Sequence, residues 1–501
     1  MAENSVHGSI HREYAGDRPN RTKENPHPPP SPLKRSSSPR DFISPLPDAA
    51  IHRIFSFLPL RDAVKTSVLF KRWRSTWTTT TDLVFDGQIG TLGFPSLVDK
   101  VLSQCTSPTV KKFHLTDFRY DEPDRPKVDL WLRFAAGHPV EELHLRPSFF
   151  SPVKYELPQF LYSLSWLARL EVSLCCFSLG GIIRWPCLKT LVIEYSELSD
   201  DILEGIFSGS PVLESVQFRG CKGVKNIIID STSVKELVLN DHWFSNPDRI
   251  WAPHVQSLRV LGRWYHDSMF RLDDVSSLVE AELVFSIRIR TGTLVSDKKR
   301  MCCDLVKGFF EKLHGVPTIT IGGWCLQILS LLELEGLPSP FFKCQNLILH
   351  GPVSQWDLPG IAYLLKSSQC LEKLDIVLTD LPLQLDLFEE SAERFNFDEG
   401  DFLPSRKGNF DFLVKHLKRV EIIGFGANSF GSKHLLALIK FLLGEALVLE
   451  KLIIKTELPT CHGQKCLDAA VLSKLLGTSR NVLRYQRASK NAEVIFDYPF
   501  E

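Results

Sequence analysis

Four hexads decide the fold. Leu188–Ile193 reads LKTLVI, Leu213–Phe218 reads LESVQF, Val234–Leu239 reads VKELVL and Val255–Val260 reads VQSLRV. Each has the form apolar-x-x-apolar-x-apolar. The last three residues alternate with period two, as a short strand with one buried face should. Working outward, the same form precedes these at Val110-Phe113-Leu115, Val140-Leu143-Leu145 and Leu167-Leu170-Val172. It follows, degenerate, at Leu278-Ala281-Leu283, and resumes at Cys344-Leu347-Leu349 and Leu371-Leu374-Ile376. The spacing is mostly about 21–27 residues, a period that belongs to stacked repeats rather than to a single closed core. Segments between hexads, such as Leu198–Phe207, have helical spacing. Each unit is therefore expected to run strand, turn, then helix or irregular return. Stacked units give a parallel sheet on the concave side of a curved solenoid.

The hexads resemble leucine-rich repeats. Cys175 and Cys221 stand three residues past the last apolar position of their hexads, at the usual Asn/Cys site of such repeats. That site turns the chain inward and satisfies loop backbone groups. Residues 286–325 break the period and are expected to be an insertion or a distorted repeat, with a helix-like run at Cys302–Leu313. Residues 381–410, acidic and aromatic, are expected to form a mobile loop.

Ahead of the repeats lies Asp41–Trp77, DFISPLPDAAIHRIFSFLPLRDAVKTSVLFKRWRSTW. Two short amphipathic helical patterns flank a Pro break and end in a basic-aromatic run. The first helix should begin near Pro47-Asp48, where Pro suits the first turn and Asp the positive end of the helix dipole. Pro59 should end it. So small a unit cannot hide all its apolar side chains, and such a surface usually meets a partner. The segment resembles an F-box. Leu46-Pro47-Asp48, Ile54-Phe55-Ser56-Phe57-Leu58-Pro59, Thr66-Ser67-Val68-Leu69 and Lys71-Arg72-Trp73-Arg74 carry the likeness. Ala50 and His52 depart from it, standing where Leu or Ile is common, and Phe70 replaces a usual Ser. The resemblance implies a three-helix module that docks the Skp-type adaptor of a cullin-RING ubiquitin ligase. Leu46, Pro47, Ile54, Phe57, Leu58 and Trp73 would build or support the docking face.

After residue 410 come a strand hexad, Leu417-Lys418-Arg419-Val420-Glu421-Ile422, and a helix with Leu435, Leu438, Ile439 and Leu442 on one face. A second hexad, Leu449–Ile454, and the run Arg487–Phe496 follow. This block resembles the FBD domain found at the C-terminus of many plant F-box proteins with leucine-rich repeats, and would cap the solenoid. The expected order is a disordered tail over 1–40, an F-box over 41–82, repeats over 100–380, the acidic loop over 381–410 and the FBD block over 411–501.

Bulk properties set limits. A chain of 501 residues with 44% hydrophobic content can bury a sizeable core. Its formal net charge of zero argues against a dedicated nucleic-acid binder. No apolar run reaches the roughly 18 residues of a membrane span. The polar start carries no secretory signal, so the twelve cysteines are expected as reduced thiols in the nucleus or cytoplasm. No phosphate loop, His-Glu-x-x-His helix or Gly-x-Ser-x-Gly elbow is present. Gly424-Phe425-Gly426 reads as a turn. Cys461-His462 with Cys466 lacks a second ligand pair for zinc, and reads as a loop. No catalytic residue, cofactor or metal is expected.

The resemblance implies a non-catalytic substrate receptor, linked through its adaptor to cullin and RING subunits, whose repeat face binds a protein target. Trp243, Trp251 and Trp264, with Arg263, fall near strand ends, and aromatics and Arg are enriched at binding hot spots. They are the expected target contacts. Two other readings stay open: a receptor whose repeat pocket senses a small molecule, and a scaffold whose F-box has decayed.

Overall fold

The computed structural model describes residues 46–58, 60–66, 73, 76–87, 93–178, 180–241, 247–266, 270–289, 295–338, 341–379, 403, 410, 415–426, 432–457, 460–461, 464–465 and 469–498. Two units divide the chain, Met1–Pro47 and Asp48–Glu501. The tail over 1–40, Phe70, Trp243, His462 and Cys466 lie outside the described residues.

The hexads become strands of one fifteen-stranded sheet. Its members are β1 (Asp82–Asp86), β2 (Lys112–Phe118), β3 (Glu142–Pro147), β4 (Arg169–Ser173), β5 (Thr190–Glu194), β6 (Ser215–Arg219), β7 (Glu236–Asp241) and β8 (Ser257–His266). They continue as β9 (Glu280–Ile289), β10 (Thr318–Gly322), β11 (Asn346–His350), β12 (Lys373–Val377), β13 (Arg419–Phe425), β14 (Lys451–Thr456) and β15 (Glu493–Asp497). Order in the sheet equals order in the chain, and neighbouring strands run parallel. Each repeat therefore lays its strand beside the one before, as a solenoid requires.

Register explains why the hexads are apolar where they are. Phe113 faces Leu143, Leu143 faces Leu170, Leu170 faces Leu191, and the row continues through Val216, Leu237 and Leu258. Leu191, Leu237 and Leu258 are buried, as the repeat register demands. The row two residues on, Leu115, Leu145, Val172, Ile193 and Phe218, is buried as well. Between the two rows sits the side chain that points to the concave face. The Cys175 and Cys221 thiols hydrogen-bond to backbone carbonyls of Ser173 and Ile193. They do at the turns what the Asn/Cys site of such repeats is expected to do.

Many of the return segments are helical. Helices α3 (Phe94–Gln104), α4 (Arg125–Ala136), α5 (Asp200–Gly209), α6 (Val295–Lys312), α7 (Gly323–Leu334), α8 (Leu358–Ser367), α9 (Lys433–Glu445) and α10 (Ala469–Leu483) lie between strands. Ser199 caps α5 and Ser432 caps α9, each side chain accepting from a backbone N–H in the first turn at 3.3 Å. Short returns, over 220–235, 242–256 and 267–279, leave too little chain for a helix and two turns. They hold the strands Asn226–Ile228, Arg249–Trp251 and Arg271–Asp274, which pair into a second parallel sheet.

Of the two readings of 286–325, the distorted repeat is the one found: β9 runs on to Ile289, α6 follows, and β10 carries the further hexad Val316-Ile319-Ile321, all three side chains buried. The sheet starts at β1, before residue 100, with Leu83 and Phe85 in the core. The C-terminal block ends the sheet by extending it, as the terminal unit of a solenoid does. Its strands β13, β14 and β15 continue the same register, and β15 is the terminal strand. Within the acidic segment, Leu403 and Phe410 are buried, with Phe410 edge-on to Phe441 at 5.0 Å. The rest of that segment, and with it the expected loop, lies outside the described residues.

Candidate functional site

At the N-terminal end the chain forms α1 (Asp48–Ser56) and α2 (Leu60–Thr66), then a single turn at Thr76–Thr79. The first two helices fall where Pro47-Asp48 and Pro59 predict. Of the third helix, only Trp73 and that turn are described. α1 is apolar on two sides, and the sides have different fates. Ile51 and Phe55 are buried, and Phe55 meets the Trp73 ring edge-on at 5.4 Å. Leu60, Ala63 and Trp77 close the same small core. Ile54 is 38% exposed and Phe57 75% exposed, with Leu58 half-buried beside them. Leu46 is half-buried and Pro47 exposed. Of the six expected docking residues, five offer some surface, and Trp73 is buried against Phe55. Arg53 hangs over the Phe57 ring at 5.9 Å without covering it.

The described residues of the second expected site fall on different elements. Trp251 lies on the return strand Arg249–Trp251, in the second sheet. Trp264 is 2% exposed, stacks on Phe270 at 4.9 Å and donates its indole N–H to the Leu261 carbonyl at 2.8 Å. The cause is strand length: β8 continues to His266, so its inside-outside alternation carries Arg263 out and Trp264 in. Trp264 lines, with Phe218, Cys221 and Leu239, a cavity of about 40 Å³, room for little more than one water. Exposed aromatics stand elsewhere. After β3 the turn presents Phe149, 61% exposed, and Phe150, 88% exposed, with Phe149 edge-on to Tyr195 at 4.8 Å.

The concave face near its N-terminal end holds a polar network that sequence reading did not single out. His114 on β2 and His144 on β3 face each other in register, rings 3.7 Å apart and 2° from parallel. Glu142 Oε2 lies 3.9 Å from His114 Nε2, and Glu171 Oε2 lies 3.7 Å from His144 Nε2. Arg146 bridges outward, to Glu171 at 3.1 Å and Glu194 at 3.6 Å, and Arg219 meets Glu194 at 2.9 Å. Glu194 is nearly sealed, which keeps its ion pairs from bulk screening. Burial, before any charge effect, pushes both imidazoles down to about 4, so at neutral pH both rings are uncharged. A signal was present in the sequence. Phe113-His114-Leu115 and Leu143-His144-Leu145 put His at the same hexad position in successive repeats.

Among the described residues, ten cysteines are free thiols. Burial holds the Cys175, Cys302, Cys303, Cys325 and Cys344 thiols above their ordinary range, away from thiolate chemistry. No helix among these residues is long and apolar enough to cross a membrane.

Comparison with known proteins agrees with this layout. The F-box domain model matches residues 43–82. A second model, described as FBD-associated F-box protein At5g56370, LRR repeats, matches residues 128–276. The F-box/LRR-repeat protein At5g02910 of Arabidopsis thaliana is 34% identical over 67% of this chain and 72% of its own length. The putative F-box/LRR-repeat protein At3g18150 of the same plant is 33% identical over 68% and 72%. Arabidopsis F-box protein At5g03100 is 32% identical over 62% of this chain and 98% of its own length. With an F-box leading into in-register repeats and relatives of this closeness, the chain belongs to the F-box/LRR-repeat proteins of plants.

Proposed function

We propose that the chain is the non-catalytic substrate-recognition subunit of an SCF-type cullin-RING ubiquitin ligase, acting in the nucleus or cytoplasm. The F-box docks a Skp-type adaptor, which links it to cullin and RING subunits. The repeat face binds a protein target. Catalysis is then proximity: the assembly holds a charged ubiquitin-conjugating enzyme near a target lysine, and no side chain of this chain does acid–base work.

One observation carries the docking half. α1 spends Ile51 and Phe55 on its own core and leaves Ile54 in solvent, and the turn that follows it leaves Phe57 in solvent as well. So short a helix and turn have no folding reason to expose a phenylalanine at 75%, and a partner surface supplies one. For target capture the support is weaker in number but local. The Arg146–Glu171–Glu194–Arg219 network and the exposed Phe149 and Phe150 lie toward the same end of the concave sheet, giving charge for register and aromatics for burial. Arg263, exposed on β8, extends that surface.

The test is a paired pull-down. Replacing Leu46 and Pro47 together by Ala is expected to abolish co-precipitation with a Skp-type adaptor while leaving the cooperative unfolding of the repeats unchanged. Undiminished adaptor binding in that variant would remove the docking assignment.

A further inference from the structure

We propose that His114, Glu142 and His144 form a binding site for one divalent transition-metal ion of the zinc class, on the concave face of the sheet. The inference does not depend on the ligase reading.

Geometry comes first. Lys112–Phe118 and Glu142–Pro147 pair in register, with Phe113 opposite Leu143, His114 opposite His144 and Leu115 opposite Leu145. The pairing fixes both imidazoles on the solvent side of the sheet, one strand apart. The ligand atoms of His114, Glu142 and His144 all lie within 4.8 Å of one another. Two imidazoles and a carboxylate are the donor set of three-ligand zinc sites that keep one position open for water.

The second observation is what these nitrogens lack. The Nε2 atoms of His114 and His144 are sealed from solvent and have no hydrogen-bond partner. A buried polar atom left unpaired is costly, about 1–3 kcal/mol on general grounds. Here two sit side by side. The fold does not ask for them: the equivalent position is Val84 on the preceding strand and Val192 and Val238 further on. A valine pair would pack there at no polar cost. The imidazoles are thus better explained by something they bind than by the sheet that carries them.

Two features oppose binding and set its terms. The rings lie face to face, so their in-plane lone pairs run parallel. An ion about 2.0–2.1 Å from each nitrogen requires both rings to turn about the Cβ–Cγ bond until the lone pairs converge. Lys112 also competes, holding Glu142 Oε2 at 3.2 Å. That ion pair is half-exposed and weak, so a divalent ion displaces it. Glu171, held by Arg146 and Arg169, stays in place 3.7 Å from His144 Nε2 and is placed to accept from a metal-bound water.

The full chain, stripped with chelator, is titrated with Zn²⁺ by calorimetry and with Co²⁺ by visible absorption. Expected are one ion per chain, a dissociation constant of about 10 μM or tighter, and a Co²⁺ spectrum of nitrogen–oxygen ligation without thiolate bands. Zn²⁺ should raise the unfolding midpoint of the native chain. His114→Gln and His144→Gln, which keep volume and a polar end, should each weaken binding about tenfold or more and abolish the Zn²⁺ shift while unfolding cooperatively. Lys112→Ala should tighten binding. No binding at about 100 μM Zn²⁺ to a cooperatively folded chain would overturn the proposal. So would binding left unchanged in the His114→Gln/His144→Gln double variant, or a thiolate spectrum, either of which places the ion on cysteines.

Discussion

Phe57→Ala separates docking from folding, and the structure sets its size. Phe57 is 75% exposed, so about three quarters of its burial energy is still available to a partner. Full burial of a phenylalanine is worth about 1.5–3 kcal/mol, which leaves roughly 1–2 kcal/mol for the interface. At about 1.4 kcal/mol per tenfold, losing that side chain should weaken adaptor binding about 5- to 30-fold. Its packing inside the chain is slight: the Arg53 contact at 5.9 Å adds at most about 0.5 kcal/mol at an exposed site. Stability should therefore move by less than about 0.5 kcal/mol. Phe55→Ala is the mirror case. Phe55 is 4% exposed and packed on Trp73, so its loss should cost about 3–5 kcal/mol of stability. Calorimetric titration with a purified Skp-type adaptor and thermal unfolding, run on both variants, read the two quantities apart. A Phe57→Ala protein that folds normally and binds the adaptor within twofold of the parent would refute the reasoning that the turn after α1 keeps this side chain for a partner.

Leu237→Ala probes the repeat core: the residue is fully buried between Val216 and Leu258, and its truncation should cost about 2–5 kcal/mol by urea unfolding, a loss under about 0.5 kcal/mol being incompatible with its place in the row. Asp357 gives a pH signature of unusual sign. Burial raises its carboxyl to about 6, against hydrogen bonds from Ser354 and Gln327 that favour the charge. Below about pH 4 the folded and unfolded forms are both protonated. Between about 4 and 6 the folded chain holds the extra proton, so stability falls as pH rises, by roughly 2–3 kcal/mol in all. Asp357→Asn removes this slope. The stability difference between variant and parent should shift by that amount in favour of the variant from pH 4 to 6.5, and parallel curves would show that Asp357 titrates normally.

The buried rows were legible because burial constrains them. A hexad must repeat at every strand to keep one face dry, and so it shows in the sequence. Two strands escaped for physical reasons. In the first, Thr80 fills the leading apolar position ahead of Leu83 and Phe85, and the pattern loses its opening. In the other, the extended β9 and the eighteen-residue α6 push Val316 far beyond the repeat spacing, although its hexad is regular. The expected target contacts are a different case, because nearness along the chain does not fix nearness in space: Trp251 stands on a return strand and Trp264 in the core.

The outward position of each hexad obeys a different logic. Folding asks little of it, and valine serves there on β1, β5 and β7. A side chain that costs more than valine at such a place needs a reason from outside the fold. His114, His144 and Glu171 are three such residues on successive strands, and Arg146 and Arg219 reinforce them from the next outward position. Single-sequence periodicity cannot see this, because polar residues between apolar ones are the ordinary pattern of a half-buried strand. Register can, since parallel in-register pairing turns one hexad position into one line across the sheet. That line carries costly side chains well beyond β6: Arg259 on β8 meets Glu282 on β9, and Asp375 and Glu421 occupy it on β12 and β13. What differs is how they are answered. Glu282 and Glu421 pair with arginine or lysine of the sheet itself, whereas the facing Nε2 atoms of His114 and His144 have no hydrogen-bond partner within it, and an unanswered buried polar pair is the costlier arrangement.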